Sequence, residues 1–420
     1  MNLQALLQAY GELAVRVGLN LQPGQRLLII GPAVNGGASL DAAPLVREIA
    51  ASAYRAGAPL VETLWGDEAL QLQRLLHAPR DSFGQFSAWL PDALVGHVEA
   101  GHALLSVNAN DPDLLKGAPP QLIGDMQTGA SVALRRFREL VGSNQTNWTV
   151  VAAASPRWAA KVFPGQAPDQ QLSSLWNAIA RLCRLDQPQP VDAWERHLHL
   201  LAARRDTLNR KRYAALKYSG PGTNLSIGLP DGHLWVSGRS ATRSGIPFVA
   251  NLPTEEVFTM PHAQRVEGIV RATKPLSYGG TLIEGFALRF AEGRIVEATA
   301  ERGETVLRQL VATDAGASRL GELALVAHST PVAQSGLLFY NTLFDENAAS
   351  HVAVGAAYKF TFADAQSMDD EAFERAGGNR SGVHVDLMIG SSELDVDGIQ
   401  QNGIAEPLMR RGEWAADVPD

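Results

Sequence analysis

Apolar residues are spaced in two different ways along this chain. Before about residue 190, short continuous apolar runs alternate with stretches whose apolar positions recur every three or four residues. Residues 26–31, Arg-Leu-Leu-Ile-Ile-Gly, predict a short buried strand. Leu45, Val46, Ile49, Ala50, Ala53 and Tyr54 then share one helical face, with Asp41 as the predicted cap and Gly57 as the predicted stop. Residues 60–65 predict the next strand, and a strand–helix–strand order implies parallel strands joined by a right-handed crossover. Further strands are expected at 103–107 and 149–153, and a helix over 175–183. The pattern predicts an α/β N-terminal domain with a mostly parallel open sheet over residues 1–190.

The texture changes twice after that. Residues 191–218 are charged and helical in pattern, with Arg204-Arg205 and Arg210-Lys211-Arg212, and read as a helical connector with a solvated face. From Gly220 onward, Gly, Ser and Thr punctuate short apolar segments such as Leu225-Ser226-Ile227 and Leu234-Trp235-Val236. Residues 283–290 alternate with a period of two, as a strand does. A β-rich α+β C-terminal catalytic domain is expected over 219–420.

Composition narrows the partners. With 420 residues, 45% hydrophobic and 19% charged, the chain can bury more than one core. A formal net charge of −8 and the absence of a strongly basic block argue against nucleic acid. No apolar run approaches a membrane span of about 20 residues, so no membrane partner is expected. Cys183 is the single cysteine and falls in a helical pattern, where it reads as a small buried apolar residue. Without disulfides or a signal-like N-terminus, the expected location is the cytoplasm.

Two motifs fail on spacing. The turn from Gly31 to Gly37 follows a strand and precedes a helix, but matches neither glycine-rich nucleotide-binding pattern. His197-Leu198-His199 lies in a helical stretch, where alternate residues point apart.

Metal-binding chemistry is dense near the C-terminus. His384-Val385-Asp386 lies in an apolar run that reads as a strand, so imidazole and carboxylate face one side, either toward an ion or as a surface pair. Residues 347–358 are expected to be a helix, with Glu346 just before it and His351 and Tyr358 two turns apart on one face. The alternative there is a core helix capped by Asp345 or Asn347. Glu255-Glu256 follow a Pro253-Thr254 turn, and are either site carboxylates or the first turn of a capped helix. Glu322 is a lone acid in an apolar, strand-like run; buried there, it needs a partner.

Together these segments resemble the aminopeptidase T and aminopeptidase S family of metal-dependent aminopeptidases. The resemblance runs through residues 251–259 (Asn-Leu-Pro-Thr-Glu-Glu-Val-Phe-Thr), Arg265-Val266-Glu267-Gly268, Pro275-Leu276-Ser277-Tyr278, Gly321-Glu322, residues 341–347 and His384-x-Asp386 with Met388-Ile389-Gly390. It is close over about 215–400 and weaker before that. Ala315, His328 and Leu387 depart from the family pattern, and none of them is a ligand position.

The resemblance implies that Glu256, Glu322, Glu346, His351, His384 and Asp386 are metal ligands and Tyr358 an active-site phenol. Four carboxylates and two imidazoles suit two divalent ions such as zinc, cobalt, magnesium or manganese, with Glu322 as the expected bridge. Glu255 is the expected general base and Tyr358 the expected oxyanion donor. The implied activity is release of N-terminal residues from short peptides with a free amino terminus, by water activated between two ions. The competing activity is metal-dependent hydrolysis of a small non-peptide amide. A homodimer with an enclosed site is also implied.

Overall fold

The computed structural model describes residues 2–32 and 37–419. Residues 33–36, the middle of the Gly31–Gly37 turn, lie outside them. The chain divides into two compact units. One comprises Met1–Leu198, Arg239–Thr254 and Leu337–Leu343; the other comprises His199–Gly238, Glu255–Gly336 and Phe344–Asp420.

The first unit is built on a four-stranded sheet of β1 (Leu27–Ile30), β2 (Val61–Thr63), β3 (Ala103–Asn108) and β4 (Trp148–Ala152). Its order is β2-β1-β3-β4 and every pairing is parallel. All four residues of β1 are buried, as expected of a central parallel strand covered on both faces. The crossover helix is Ala43–Arg55, with Leu45, Val46, Ile49 and Ala53 buried and Tyr54 exposed. Gly57 follows it with φ at 96°, the left-handed geometry that glycine adopts at little cost. Asp41 is not its cap: it sits in a 3-10 turn, Leu40–Ala42, whose own cap is Ser39. The Leu175 segment lies in helix Pro168–Leu182, and Cys183 just beyond it is buried. His197 and His199 lie on helix Pro190–Lys211.

The two larger sheets of the second unit are antiparallel. Eight strands between residues 215 and 299 and between 395 and 414 form the larger one. The smaller has five: β5 (Val236–Ser237), β6 (Val257–Thr259), β7 (Leu320–Leu325), β8 (His351–Gly355) and β9 (His384–Met388), in the order β9-β8-β7-β6-β5. Val257, Leu323, Leu325, Val352, Val354 and Leu387 project from this sheet into one core. That core also holds Leu216, Leu225, Ile227, Val266, Leu288 and Val396 from the larger sheet. Burying each such side chain contributes roughly 1.5–3 kcal/mol. The mostly parallel sheet of the first unit and the antiparallel sheets of the second match the two expected fold classes.

Two local expectations are corrected. Residues 347–358 are not a helix: Glu346–Ala348 is a 3-10 turn and His351–Gly355 is the strand β8. Every residue of β8 is buried, so the run shows no polar alternation, and a short apolar run is ambiguous between strand and helix. The 283–290 alternation is broken by Gly285, at φ 59°, and the strand there is Ala287–Ala291. Among the described residues no helix is long and apolar enough to cross a membrane.

Candidate metal centre

Directly paired residues in an antiparallel sheet point to the same face, and their neighbours along each strand point to the other. In the smaller sheet this rule places the candidate ligands together. Phe258 pairs with Ala324, Ala324 with His351, and His351 with Met388. In the next row Glu322 pairs with Ala353 and Ala353 with Asp386; beyond it Gly355 pairs with His384. All of these lie on the face opposite the apolar core. Ala324, Ala353 and Gly355 alternate with the functional residues, leaving space above the sheet for what the longer side chains hold.

Glu322 reaches that face through a register shift. Leu320 pairs with Val354, yet Glu322 pairs with Ala353, so two steps on β7 oppose one on β8. The bulge re-aims the alternation: Leu320 joins the core and Glu322 turns away from it. Gly321 is the residue that permits this. A Cβ there would lie 2.3 Å from the carbonyl oxygens of both Gly355 and Ala356.

The resulting cluster is tight. Ligand atoms of Glu256, Glu322 and His351 lie within 4.8 Å of one another, and so do those of Glu322, His384 and Asp386. Glu322 belongs to both groups: Oε1 faces His351 Nε2 at 3.5 Å and Oε2 faces His384 Nε2 at 3.6 Å. Glu256 Oε2 lies 3.2 Å from His351 Nε2, and Asp386 Oδ1 lies 3.4 Å from His384 Nε2. Those two carboxylate oxygens are buried and have no well-aligned hydrogen-bond donor among the described residues. Buried lone pairs converging without donors are what a bound cation satisfies.

The imidazoles are oriented for the same purpose. His351 Nδ1 lies 3.1 Å from the carbonyl of Ala349, and His384 Nδ1 lies 2.8 Å from that of Ala356. A carbonyl only accepts, so Nδ1 donates in each ring and the neutral Nε2 presents its lone pair to the cluster. The surrounding carboxylates also favour a proton on each ring, which a bound ion would displace. Burial opposes the His384 imidazolium, but contact with Asp386 and the nearby Glu322 prevail and raise its pKa to about 9. His351 is likewise raised: burial opposes its charge, and Glu256 and Glu322 override it. Glu346 is raised well above the usual carboxylate range by burial and by the charges of Glu256 and Asp386. Burial also raises Glu322, whereas Asp386, against the same burial, is held low by His384.

Glu255 is buried, 2% exposed, and its backbone N–H donates to Asn347 Oδ1 at 2.7 Å. No helix starts there; β6 begins at Val257. Tyr358 follows β8 in a loop rather than standing two helical turns from His351. Its ring centroid is 4.6 Å from that of His384, and it stacks on Phe360 at 5.2 Å. The residue as a whole is 41% exposed, yet partial desolvation and the field of Glu322, Asp386, Glu346 and Glu256 push its phenol above the ordinary value, so at neutral pH it is a proton donor.

Some contributors could not be read from the sequence. Asn347 reads there as a cap candidate, and it anchors Glu255 instead. The carbonyls of Ala349 and Ala356 have no side-chain signature at all. His197 is not a metal ligand by geometry: its Nε2 lies 2.8 Å from the carbonyl of Thr254, the residue preceding Glu255.

Comparison with known proteins identifies the family. The family model described as thermophilic metalloprotease (M29) matches residues 3–414. Aminopeptidase T of Thermus thermophilus is 47% identical over 408 residues, covering 97% of this chain and 98% of that protein. Aminopeptidase 2 of Geobacillus stearothermophilus is 45% identical over 412 residues, covering 98% of each. The solved structure of wild-type AmpT from Thermus thermophilus superposes with a TM-score of 0.92 at 45% identity, covering 98% of this chain and 99% of that one.

Proposed function

The chain belongs to the thermophilic metalloprotease (M29) family and is a metal-dependent aminopeptidase, and we propose that it acts through two divalent ions on short peptides with a free amino terminus. The proposed ligands are Glu256, Glu322 and His351 for one ion and Glu322, His384 and Asp386 for the other, with Glu346 completing the set. The observation that carries the reading is Glu322, whose two carboxylate oxygens each face a different imidazole. The donor set of carboxylates and imidazoles suits zinc, cobalt or manganese better than an all-oxygen ion such as calcium.

When bound, such ions polarise the scissile carbonyl and make water nucleophilic at neutral pH. The protein supplies the proton handling. Glu255, held by Asn347, takes a proton from the attacking water and delivers it to the departing amine. Tyr358, kept protonated by its surroundings, donates to the oxygen that gains negative charge. A free α-amine would find a place at the proposed metal centre that an acylated one would not, which would favour removal of one residue at a time from the amino terminus.

The test compares aminoacyl arylamides with their N-acetylated counterparts, before and after chelation. Chelator-sensitive release from the free-amine substrates alone supports the reading. Equal cleavage of the N-acetylated series would instead indicate hydrolysis of small amides in general. The dimer that the family resemblance implies is checked by light scattering on the same preparation.

A further inference from the structure

Within the buried segment 252–261 only Phe258 is partly exposed. It lies on the metal-bearing face, two strands from His351 in the same row, with the small Ala324 between them. Adjacent strands are about 4.8 Å apart, so the Phe258 backbone stands roughly 10 Å from that of His351. Phe258 meets Phe360 edge to face, with ring centroids 6.2 Å apart at 83°. Phe360 in turn stacks on Tyr358 at 15°. An aromatic wall therefore runs from His384 through Tyr358 and Phe360 to Phe258, along the edge of the carboxylate cluster. Phe258 and Phe360 take no part in the large apolar core of this unit or in the small one around Met260 and Phe373. Their rings are spent on a partly exposed surface beside the site.

We propose that Phe258 and Phe360 form the wall of the pocket that receives the side chain of the substrate's N-terminal residue, and that they select large apolar side chains over small ones. The inference rests on the aminopeptidase reading of this site. A substrate whose α-amine sits among the carboxylates has its side chain within reach of Phe258 over Ala324. A leucyl or phenylalanyl side chain there is removed from water against two rings. An anionic side chain there loses hydration beside carboxylates of the same sign.

The test is steady-state kinetics of the metal-loaded enzyme on leucyl, phenylalanyl, alanyl and glycyl arylamides, with metal content measured for each variant. Phe258→Ala is expected to lower the leucyl-to-alanyl ratio of kcat/KM by about tenfold or more, the size of effect one methylene gives in an apolar pocket. The change should fall mainly on KM, with metal content retained. Phe258→Leu, a milder change that keeps the site packed, should lower the phenylalanyl-to-alanyl ratio by a smaller factor. Ratios unchanged in both variants, or an equal loss on all four substrates, would overturn the pocket while leaving the aminopeptidase reading intact. A wild-type enzyme that releases nothing from any of the four would overturn that reading itself.

Discussion

The parallel sheet of the first unit and the five-stranded sheet of the second use the same strand geometry for opposite ends. In the first, β1 buries all four of its residues and both faces are apolar. In the second, one face of β6 to β9 sends Val257, Leu323, Leu325, Val352, Val354 and Leu387 into a core, and the other carries Phe258, Glu322, His351, His384 and Asp386. A sheet covered by apolar groups on both sides is a scaffold. A sheet whose second face is polar and still buried has to satisfy those groups some other way, because an unpaired buried charge costs several kcal/mol. The second sheet meets that cost with imidazoles and, on the proposed function, metal ions.

The contrast can be broken most severely at the bulge. Gly321→Ala forces the backbone of β7 away from the carbonyls of Gly355 and Ala356 and misplaces Glu322. Activity should fall by more than about 1,000-fold, together with metal content, because several transition-state interactions are lost at once. Elemental analysis beside a kinetic assay checks this; a variant with full metal and near-normal turnover would show that the bulge does not set the site.

Glu255→Gln preserves shape and removes the proton carrier. Turnover should drop by about 100- to 10,000-fold with metal content unchanged. Tyr358→Phe should cost about 100-fold in kcat with little change in KM, since its hydrogen bond strengthens only as negative charge develops. Unchanged kcat in that variant would remove the phenol from the mechanism.

The pH dependence of metal binding tests the electrostatics of the polar face. In the ion-free protein His384 titrates near 9, so at pH 7 its Nε2 carries a proton that an ion must displace. Affinity should therefore rise as pH is raised from 7, by about tenfold per unit for each proton displaced, and the part due to His384 should level off above about 9. A calorimetric titration that shows pH-independent affinity over that window would contradict the proton-filled cluster.

The smallest effect on catalysis should come from the scaffold sheet. Ile29→Ala removes a fully buried side chain of β1 and should cost about 2–5 kcal/mol of stability. Turnover per folded molecule should stay near wild type, because no candidate catalytic group lies on that sheet. Denaturant unfolding followed by activity at low temperature separates the two quantities.

The sequence expressed these two regions unequally. Strands β1 to β4 and their crossover helix follow from apolar runs and a clean helical period, since one pattern decides each element. His384-x-Asp386 is legible for the same reason, as a period of two puts both groups on one face. β8 misleads because burial on both faces removes the polar alternation, so the sequence pattern around His351 and Tyr358 suggests a helix that does not form. Glu322 was recognisable as a buried acid, but the bulge that turns it toward the cluster depends on the register with β8, a non-local property. The position of Asn347 and the carbonyls that orient both imidazoles are also tertiary facts. The ligand set came into view in the sequence through family resemblance, and the sheet register supplies its physical reason.

The most direct test of the central claim is a count of tightly bound divalent ions per chain, by metal titration with elemental analysis, in the wild type and in Glu322→Gln. If Glu322 bridges, the wild type takes up two ions, and the variant loses high-affinity binding at both positions along with its activity. A wild type that saturates with one ion, or a variant that still holds two, would contradict the shared-carboxylate centre.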